Sequence, residues 1–289
     1  MPKPTAPPAS SGHRSHHQLL ERAVLALRMQ RFAEAEELAA EVLRASRNHA
    51  AAVSLLAHAL IAQNRAKEAI APLERAARRS NDPSVETLLG AALGGAGRRA
   101  EAVVQLRRTT ARRPPFFPAF QELAGQLAKD GCFGDAIAVI EAALALAPQG
   151  IDLQLDLARL YIENNERAKA RVILLKAQRA APGRIEILTA LARVLLLDGD
   201  YADAADTYRR VLALHPEDAL TRADLAACQL EAGERSAGEA NLRMALRGRP
   251  HMLGRATYAL VQSSHGRFFF RQSAFAKFLH AERPESSTS

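Results

Sequence analysis

The sequence predicts an all-α protein, a solenoid built from tandem helical hairpins. Apolar residues recur at helical spacing: in the segment 117–150, Phe120, Leu123, Ala124 and Leu127 follow the i, i+3, i+4, i+7 pattern of one helix face. Residues that favour close packing or end helices recur every 34 residues, at Ala102, Ala136, Ala170 and Ala204 and at Pro114, Pro148, Pro182, Pro216 and Pro250. A period of roughly 20–50 residues is typical of solenoids.

The segment 117–150 predicts one complete hairpin. Its first helix is expected to end at Asp130 and Gly131, because glycine adopts the left-handed conformation that terminates a helix without strain. A second helix follows and is expected to end before Pro148, since proline has no N–H to donate. Ala136 faces the first helix, where a larger side chain would hold the two backbones apart.

The same template divides the rest of the chain into segments. Residues 1–15 are rich in Pro, Ser and Gly and are predicted to be a disordered lead. Seven repeats are predicted over 16–252, namely 16–49, 50–82, 83–116, 117–150, 151–184, 185–218 and 219–252. Residues 253–279 are predicted to form a capping helix and a Phe-rich segment, followed by a disordered tail at 280–289.

The first and seventh repeats depart from the template. The first has no proline at its end, as expected of a terminal repeat that faces solvent on one side. The seventh has Arg222 where a bulky apolar residue is usual and Gly238 where alanine is usual. We therefore expect the hairpin of the seventh repeat to be more loosely packed than the others.

The sixth repeat carries the residues of a known motif: Leu188, Leu191, Ala192, Leu195, Gly199, Tyr201, Ala204, Tyr208, Val211 and Pro216. In these positions the chain resembles the tetratricopeptide repeat family. The resemblance implies a right-handed superhelix whose first helices line a concave groove, with a capping helix at the C-terminal end. It also implies that the groove binds a protein or peptide partner.

If the family geometry applies, the second, fifth, ninth, twelfth and thirteenth residues of each repeat face the groove. The predicted binding residues are Gln121, Lys129, Leu155, Arg159, Ile162, Thr189, Arg193 and Leu196. Arg159 and Arg193 occupy the same position in adjacent repeats and could together bind carboxylates of an extended peptide. The apolar positions around them suit a hydrophobic segment. Alternatively, Asp156 and Glu186 neutralise these arginines within their own helices.

The net charge of +8 is unevenly distributed. Repeats two and three carry +6, whereas repeats six and seven carry −3. The predicted basic patch consists of Arg98, Arg99, Arg107, Arg108, Arg112 and Arg113. Such a patch suits an acidic protein surface, an anionic lipid surface or RNA. The alternative is an ordinary solvated face, and because no aromatic residues are interleaved with the arginines, nucleic acid is not the expected partner.

Five of the ten phenylalanines fall near the C-terminal end, at Phe268, Phe269, Phe270, Phe275 and Phe278. These aromatic side chains are predicted to pack on the final helices and seal the core. The alternatives are docking on a partner, insertion into the chain's own groove, and contact with a membrane. An exposed aromatic run would otherwise promote aggregation.

The sequence contains no phosphate-binding loop, no HExxH and no GxSxG motif, so we expect neither catalysis nor a cofactor. Cys132 and Cys228 lack the spacing of metal ligands, so we expect free thiols and no metal. No stretch has the apolar length of a secretory signal or of a transmembrane helix, which predicts a cytoplasmic location.

These observations together predict a non-catalytic interaction scaffold or adaptor. One alternative is binding of nucleic acid or an anionic surface through repeats two and three. A second alternative, a regulatory partner of a separately encoded enzyme, is not distinguished from the first prediction by the sequence. Self-association is also left open.

Overall fold

The computed structural model describes residues 10–266, together with residues 273–274 and 277–278. Residues 10–266 form fifteen α-helices and one 3₁₀-helix, and this described stretch contains no strand. The predicted all-α class is therefore confirmed. The chain divides into two compact units, residues 1–148 and residues 149–289.

The first unit contains four consecutive helical hairpins. Its helices are α1 (Ser10–Arg28), α2 (Phe32–Ala45), α3 (Ala50–Ala62), α4 (Ala66–Ala77), α5 (Pro83–Gly95), α6 (Arg99–Thr110), α7 (Phe117–Lys129) and α8 (Phe133–Leu146). Helix α1 begins at Ser10, so the last six residues of the stretch 1–15 are helical rather than without regular structure. Residues 1–9 lie outside the described part of the chain.

The second unit contains three hairpins and a final helix. Its elements are α9 (Ile151–Glu163), α10 (Arg167–Ala180), α11 (Ile185–Asp198), α12 (Tyr201–Leu214), α13 (Ala219–Glu231), α14 (Arg235–Leu246), the 3₁₀-helix Pro250–Met252 and α15 (Leu253–Gln262). Helix α15 packs against α13 and α14. None of the helices in the described residues combines the length and apolar character that a membrane crossing requires.

The helices of each unit form two layers. First helices contact first helices, as α1, α3, α5 and α7 do in sequence in the first unit, and as α9 does with α11 and α13 with α15 in the second. Within a unit, each second helix packs against its own first helix and, where another first helix follows in that unit, against that helix as well, as α10 does with α9 and α11. We call the side of α9, α11, α13 and α15 that faces away from the second helices the first-helix face.

The turn inside every hairpin contains one residue with a positive φ angle. These residues are Gln30, Asn64, Gly97, Gly131, Asn165, Gly199 and Gly233. Glycine and asparagine, which tolerate this left-handed conformation best, occupy six of the seven positions, and Gln30 occupies the first. Gly131, at φ 76°, has the helix-ending conformation predicted for it.

Small buried residues allow the two helices of each hairpin to approach closely. Alanines at this position are completely buried in six repeats, at Ala35, Ala69, Ala102, Ala136, Ala170 and Ala204. In the seventh repeat the position is Gly238, and a Cβ built there would lie 2.8 Å from Leu230 Cγ and 3.0 Å from the Ala226 carbonyl oxygen. The expectation of a loose seventh hairpin is therefore wrong, because α13 and α14 approach too closely even for a methyl group.

Candidate functional site

The two arginines predicted to bind a partner lie on adjacent first helices of the second unit. Arg159 is in α9 and Arg193 is in α11, at equivalent positions of their repeats. Their side chains are 56% and 59% exposed, respectively. Ile162 and Leu196 follow three residues after each arginine and are half-buried. The first-helix face thus presents two guanidinium groups, each with an aliphatic side chain nearby on the same helix.

Each of these arginines has a carboxylate within 4 Å, and each also attracts a second carboxylate at longer range, Glu186 for Arg159 and Asp224 for Arg193. Arg159 Nη1 is 3.7 Å from Asp156 Oδ1, and Arg193 Nη2 is 3.7 Å from Glu163 Oε1. Both distances exceed that of a hydrogen bond, and exposed ion pairs of this kind contribute only about 0–1 kcal/mol. A carboxylate that made a shorter, bidentate contact could replace either partner.

The other predicted groove residues differ in how much surface they offer. Leu155 is only 3% exposed, so it belongs to the core and presents almost nothing to a ligand. Thr189 is half-buried on α11. Gln121 is half-buried and Lys129 is exposed, and both lie on α7 in the first unit. The apolar lining predicted around the arginines is therefore smaller than the sequence suggested.

A third arginine, Arg184, joins the start of α11 to α9. Its guanidinium donates to Asp152 Oδ1 at 2.5 Å and to Glu186 Oε2 at 3.3 Å. The hydrogen bond to Asp152 raises the pKa of Arg184 above its ordinary value. Glu186 accepts a bond from its own backbone N–H and a contact from Arg184, which together hold the pKa of its carboxyl below the usual value. Glu186 is thus paired mainly with Arg184 rather than with Arg193.

The seventh repeat places a carboxylate and a thiol in buried surroundings. Burial raises the pKa of Asp224 in spite of its hydrogen bond from Arg255 of α15. Burial also raises the pKa of the Cys228 thiol to about 12, so at neutral pH this side chain is not a nucleophile. Cys132 is exposed, and both cysteines are free thiols.

Two members of the predicted basic patch are paired with acids in the first unit. Arg98 donates to both carboxylate oxygens of Glu101, at 2.7 and 2.6 Å. Arg99 Nη1 lies 3.0 Å from Asp130 Oδ1. These pairs neutralise a large part of the positive charge at the start of α6.

The remaining four arginines of the patch fall into two groups. Arg112 Nη2 is 2.5 Å from Glu86 Oε1, a carboxylate that is only 8% exposed. Arg113 donates to the carbonyl oxygen of Arg112 at 2.8 Å. Arg107 and Arg108 are exposed, and neither forms an ion pair with a described carboxylate. The charge available to an anionic ligand here is therefore concentrated in Arg107, Arg108 and Arg113, because a carbonyl oxygen does not neutralise the charge of Arg113.

A cleft of about 580 Å³ lies between α4, α5 and α6 in the first unit. Glu74, Arg78, Glu101 and Arg108 contribute charges of both signs to its wall, and Val104 contributes an exposed aliphatic group. The cleft is formed by two second helices and the first helix between them. It is therefore separate from the groove that the sequence predicted.

The Phe-rich segment is described only at Phe278. This side chain packs against the hydrophobic cluster of α13, α14 and α15. Its ring centroid lies 4.6 Å from the Arg243 guanidinium carbon, and its carbonyl oxygen accepts a bond from Arg243 Nε at 3.2 Å. Phe278 thus covers part of the core at the end of the second unit. Phe268, Phe269, Phe270 and Phe275 lie outside the described residues.

Sequence reasoning did not identify Glu163 as the neighbour of Arg193. The two residues are 30 positions apart and lie on adjacent first helices. The 34-residue period carries the relevant signal, because it places Glu163 at the thirteenth position of one repeat and Arg193 at the ninth position of the next. Both are positions that face the groove in the family geometry.

Comparison with known proteins supports the repeat architecture. A family model described as tetratricopeptide repeat matches residues 26–92, 127–194 and 195–251, which is more than half of the chain. No curated protein sequence matches the chain.

Several solved structures are similar to this chain. A tetratricopeptide repeat protein from Parabacteroides merdae ATCC 43184 is 13% identical with a TM-score of 0.60, over 85% of this chain and 99% of that one. A chain of the APC/C hetero-tetramer Cut9–Hcn1 is 16% identical with a TM-score of 0.57, over 88% of this chain but only 50% of its own length. MamA from Desulfovibrio magneticus RS-1 is 24% identical with a TM-score of 0.47, over 57% and 94%. At these identities the first two similarities establish the fold alone.

Proposed function

The chain belongs to the tetratricopeptide repeat family, and from this premise we propose that it is a non-catalytic interaction scaffold. Its partner is a protein segment that binds on the first-helix face of the second unit. The observation that carries this proposal is the pair of exposed arginines, Arg159 and Arg193, at equivalent positions of adjacent first helices. Stacked repeats use such extended surfaces to bind partners.

The weak pairing of the two arginines supports a role in binding. The shortest carboxylate contact of each guanidinium is 3.7 Å long and exposed to solvent, so little stability is lost when a partner replaces that contact. Arginine is suited to the exchange because its planar group can bind a carboxylate through two parallel hydrogen bonds. A partner with acidic side chains spaced to reach both arginines would satisfy them together.

The aliphatic side chains beside the two arginines indicate which apolar groups the ligand should carry. Ile162 and Leu196 are half-buried, and Leu197 is 45% exposed on the same side of α11. A partner segment that carried apolar side chains between its acidic ones would cover this surface. We therefore propose an extended or helical segment with mixed acidic and apolar character as the ligand.

The experiment is affinity capture from the native lysate with purified protein, after nuclease treatment and at moderate salt. The double variant Arg159→Glu/Arg193→Glu is compared with the control Arg107→Glu/Arg108→Glu, which changes the same number of exposed arginines in the first unit. We expect the wild type and the control to retain one stoichiometric protein partner, and the Arg159/Arg193 variant to lose it with unchanged far-UV circular dichroism.

The other outcomes separate this proposal from its alternative. A partner that remains bound to the Arg159/Arg193 variant would rule out the first-helix face as its site. Loss of binding only in the Arg107/Arg108 variant would favour an anionic ligand on the basic patch, as would recovery of nucleic acid when nuclease is omitted. A partner that is itself an enzyme would identify the chain as its regulatory subunit.

A further inference from the structure

Helix α10 has a distinctive charge composition in the second unit. Its fourteen residues include five basic side chains and no acidic one. One side of the helix packs into the hairpin, where Ala170, Leu174 and Ala177 are completely buried. The opposite side faces away from α9 and α11, and we call it the α10 outer face.

The α10 outer face combines cations with exposed aliphatic groups. Val172 is 69% exposed and Leu175 is 37% exposed. Lys176 and Arg179 lie four and seven residues after Val172, which places them on the same side of the helix. The result is one continuous surface in which aliphatic and cationic side chains are interleaved.

The basic residues of α10 are neutralised unequally. Arg171 Nη1 lies 2.5 Å from Asp200 Oδ2, and Arg167 pairs with Asp198. Lys169 pairs with Glu166 and lies over the Tyr161 ring. Lys176 and Arg179, by contrast, form no ion pair with any carboxylate in the described part of the chain. Two charges of the outer face are therefore available to a partner.

The next second helix of the same unit, α12, differs from α10 at these positions. The positions of Val172, Leu175, Lys176 and Arg179 correspond to Asp206, Arg209, Arg210 and Ala213 in α12. There Arg209 Nη1 is 2.5 Å from Asp206 Oδ1, so charges of opposite sign neutralise each other within the helix. The outer face of α12 thus has the character of an ordinary solvated surface.

We propose that the α10 outer face is a second docking surface, which binds an amphipathic acidic helix of a protein partner. Acidic side chains of that helix pair with Lys176 and Arg179, while its aliphatic side chains cover Val172 and Leu175. This surface lies on the second-helix layer, whereas Arg159 and Arg193 lie on first helices. The chain can therefore bind two partner segments at once.

The arrangement of the side chains favours a protein over a lipid surface or nucleic acid. Helices that bind membranes carry their apolar and cationic residues on opposite faces, and they insert large apolar groups into the lipid. On α10 both kinds of residue share one face, and the apolar groups there are only valine and leucine. No aromatic side chain lies on this face for bases to stack on.

The test uses the full chain and a fluorescein-labelled synthetic peptide that forms an amphipathic helix of Glu and Leu. A scrambled peptide of the same composition serves as the comparison, and binding is measured by fluorescence anisotropy. We expect the amphipathic peptide to bind the wild type. Lys176→Glu/Arg179→Glu should weaken this binding by about tenfold or more, and Val172→Asp should also weaken it. Circular dichroism checks that these exposed substitutions leave the fold intact.

The control variants locate the binding on α10. Arg107→Glu/Arg108→Glu, which changes two exposed cations of α6, should bind the peptide within about twofold of the wild type. Because Arg159 and Arg193 could also attract an acidic peptide, Lys176→Glu/Arg179→Glu is repeated in the Arg159→Glu/Arg193→Glu background, where it should again weaken binding by about tenfold. Equal binding of the scrambled peptide, or equal losses in all charge variants, would overturn the proposal in favour of non-specific attraction. Co-sedimentation with phosphatidylserine vesicles that depends on Lys176 and Arg179 would overturn it in favour of a lipid ligand.

Discussion

Gly238 marks a position where a single methyl group decides how two helices pack. Six repeats place a completely buried alanine there, but in the seventh the helices approach so closely that Leu230 and the Ala226 carbonyl occupy the space of a Cβ. Interiors packed to this density do not absorb added atoms without shifting their neighbours. The glycine is therefore a consequence of the local interhelical distance.

We predict that Gly238→Ala lowers the free energy of unfolding by about 1 kcal/mol. The overpacking cost of roughly 1–3 kcal/mol should exceed the gain in helix propensity of about 1 kcal/mol. Gly125→Ala is the matched control, because that glycine is also within a helix and a Cβ there meets nothing within 4 Å. Thermal unfolding followed by circular dichroism should show a lower midpoint for the first variant and a higher one for the second. The opposite order would contradict the packing argument.

At the scale of helices, the buried ion pair of Glu86 connects α5 to the end of α6. The carboxylate is 8% exposed, is paired with Arg112 at 2.5 Å and accepts a bond from the Thr109 hydroxyl at 3.2 Å. Arg112 belongs to the predicted basic patch, yet its charge is used inside the protein. Arginines that look equivalent in the sequence can thus differ in role: one is paired with a buried carboxylate, whereas others are exposed to solvent.

Arg112→Ala should destabilise the protein by about 3 kcal/mol, because it leaves the buried Glu86 carboxylate without its counter-charge. Arg108→Ala in α6 should change stability by about 0.5 kcal/mol or less, since that side chain is exposed and unpaired within the described residues. Urea unfolding of both variants measures the difference. Similar unfolding midpoints would show that the Glu86 pair contributes little to stability.

A sum of charges over whole repeats does not show the net charge of each helix. Residues 117–184 have a net charge of zero, although they include α10 with five basic residues and no acidic ones. The acids of that stretch lie outside α10, such as Asp152 and Glu163 on α9. A sequence count therefore overlooked the α10 outer face and drew attention to repeats two and three.

Across the whole molecule, packing within each unit links elements that are close in sequence. Within a unit, each helix contacts the next helix along the chain, and most first helices also contact the next first helix. Solenoids with contacts of this kind have stabilities that are approximately sums over repeats and their interfaces. Unfolding of such a chain need not be a single cooperative transition.

We predict that calorimetry will give a larger unfolding enthalpy than the van't Hoff value obtained from the temperature dependence of helicity. Partly unfolded repeats broaden the transition, which lowers the van't Hoff enthalpy without changing the total heat absorbed. Equal enthalpies from the two measurements would show that the chain unfolds as one cooperative unit.

The sequence by itself determined the helical hairpins, their repeat and their turns. These features depend on local properties: apolar spacing along one helix, the small residue inside each hairpin and, in four of the seven hairpins, the glycine that accepts a positive φ angle. Each of these properties depends on a few neighbouring residues and recurs with the 34-residue period. The family and the all-α fold could therefore be predicted. Arg159 and Arg193 were also found in this way, as equivalent positions of adjacent repeats.

Only the tertiary structure decided which side chains are available to a partner. Exposure and ion pairing depend on residues about 30 positions away, as with Glu163 beside Arg193 and Glu86 beside Arg112. Neighbouring helices also buried Leu155, left Val172 exposed and brought α14 too close for a Cβ at Gly238. Interhelical distance and side-chain orientation set these outcomes, and neither quantity is contained in the spacing of residues along one helix.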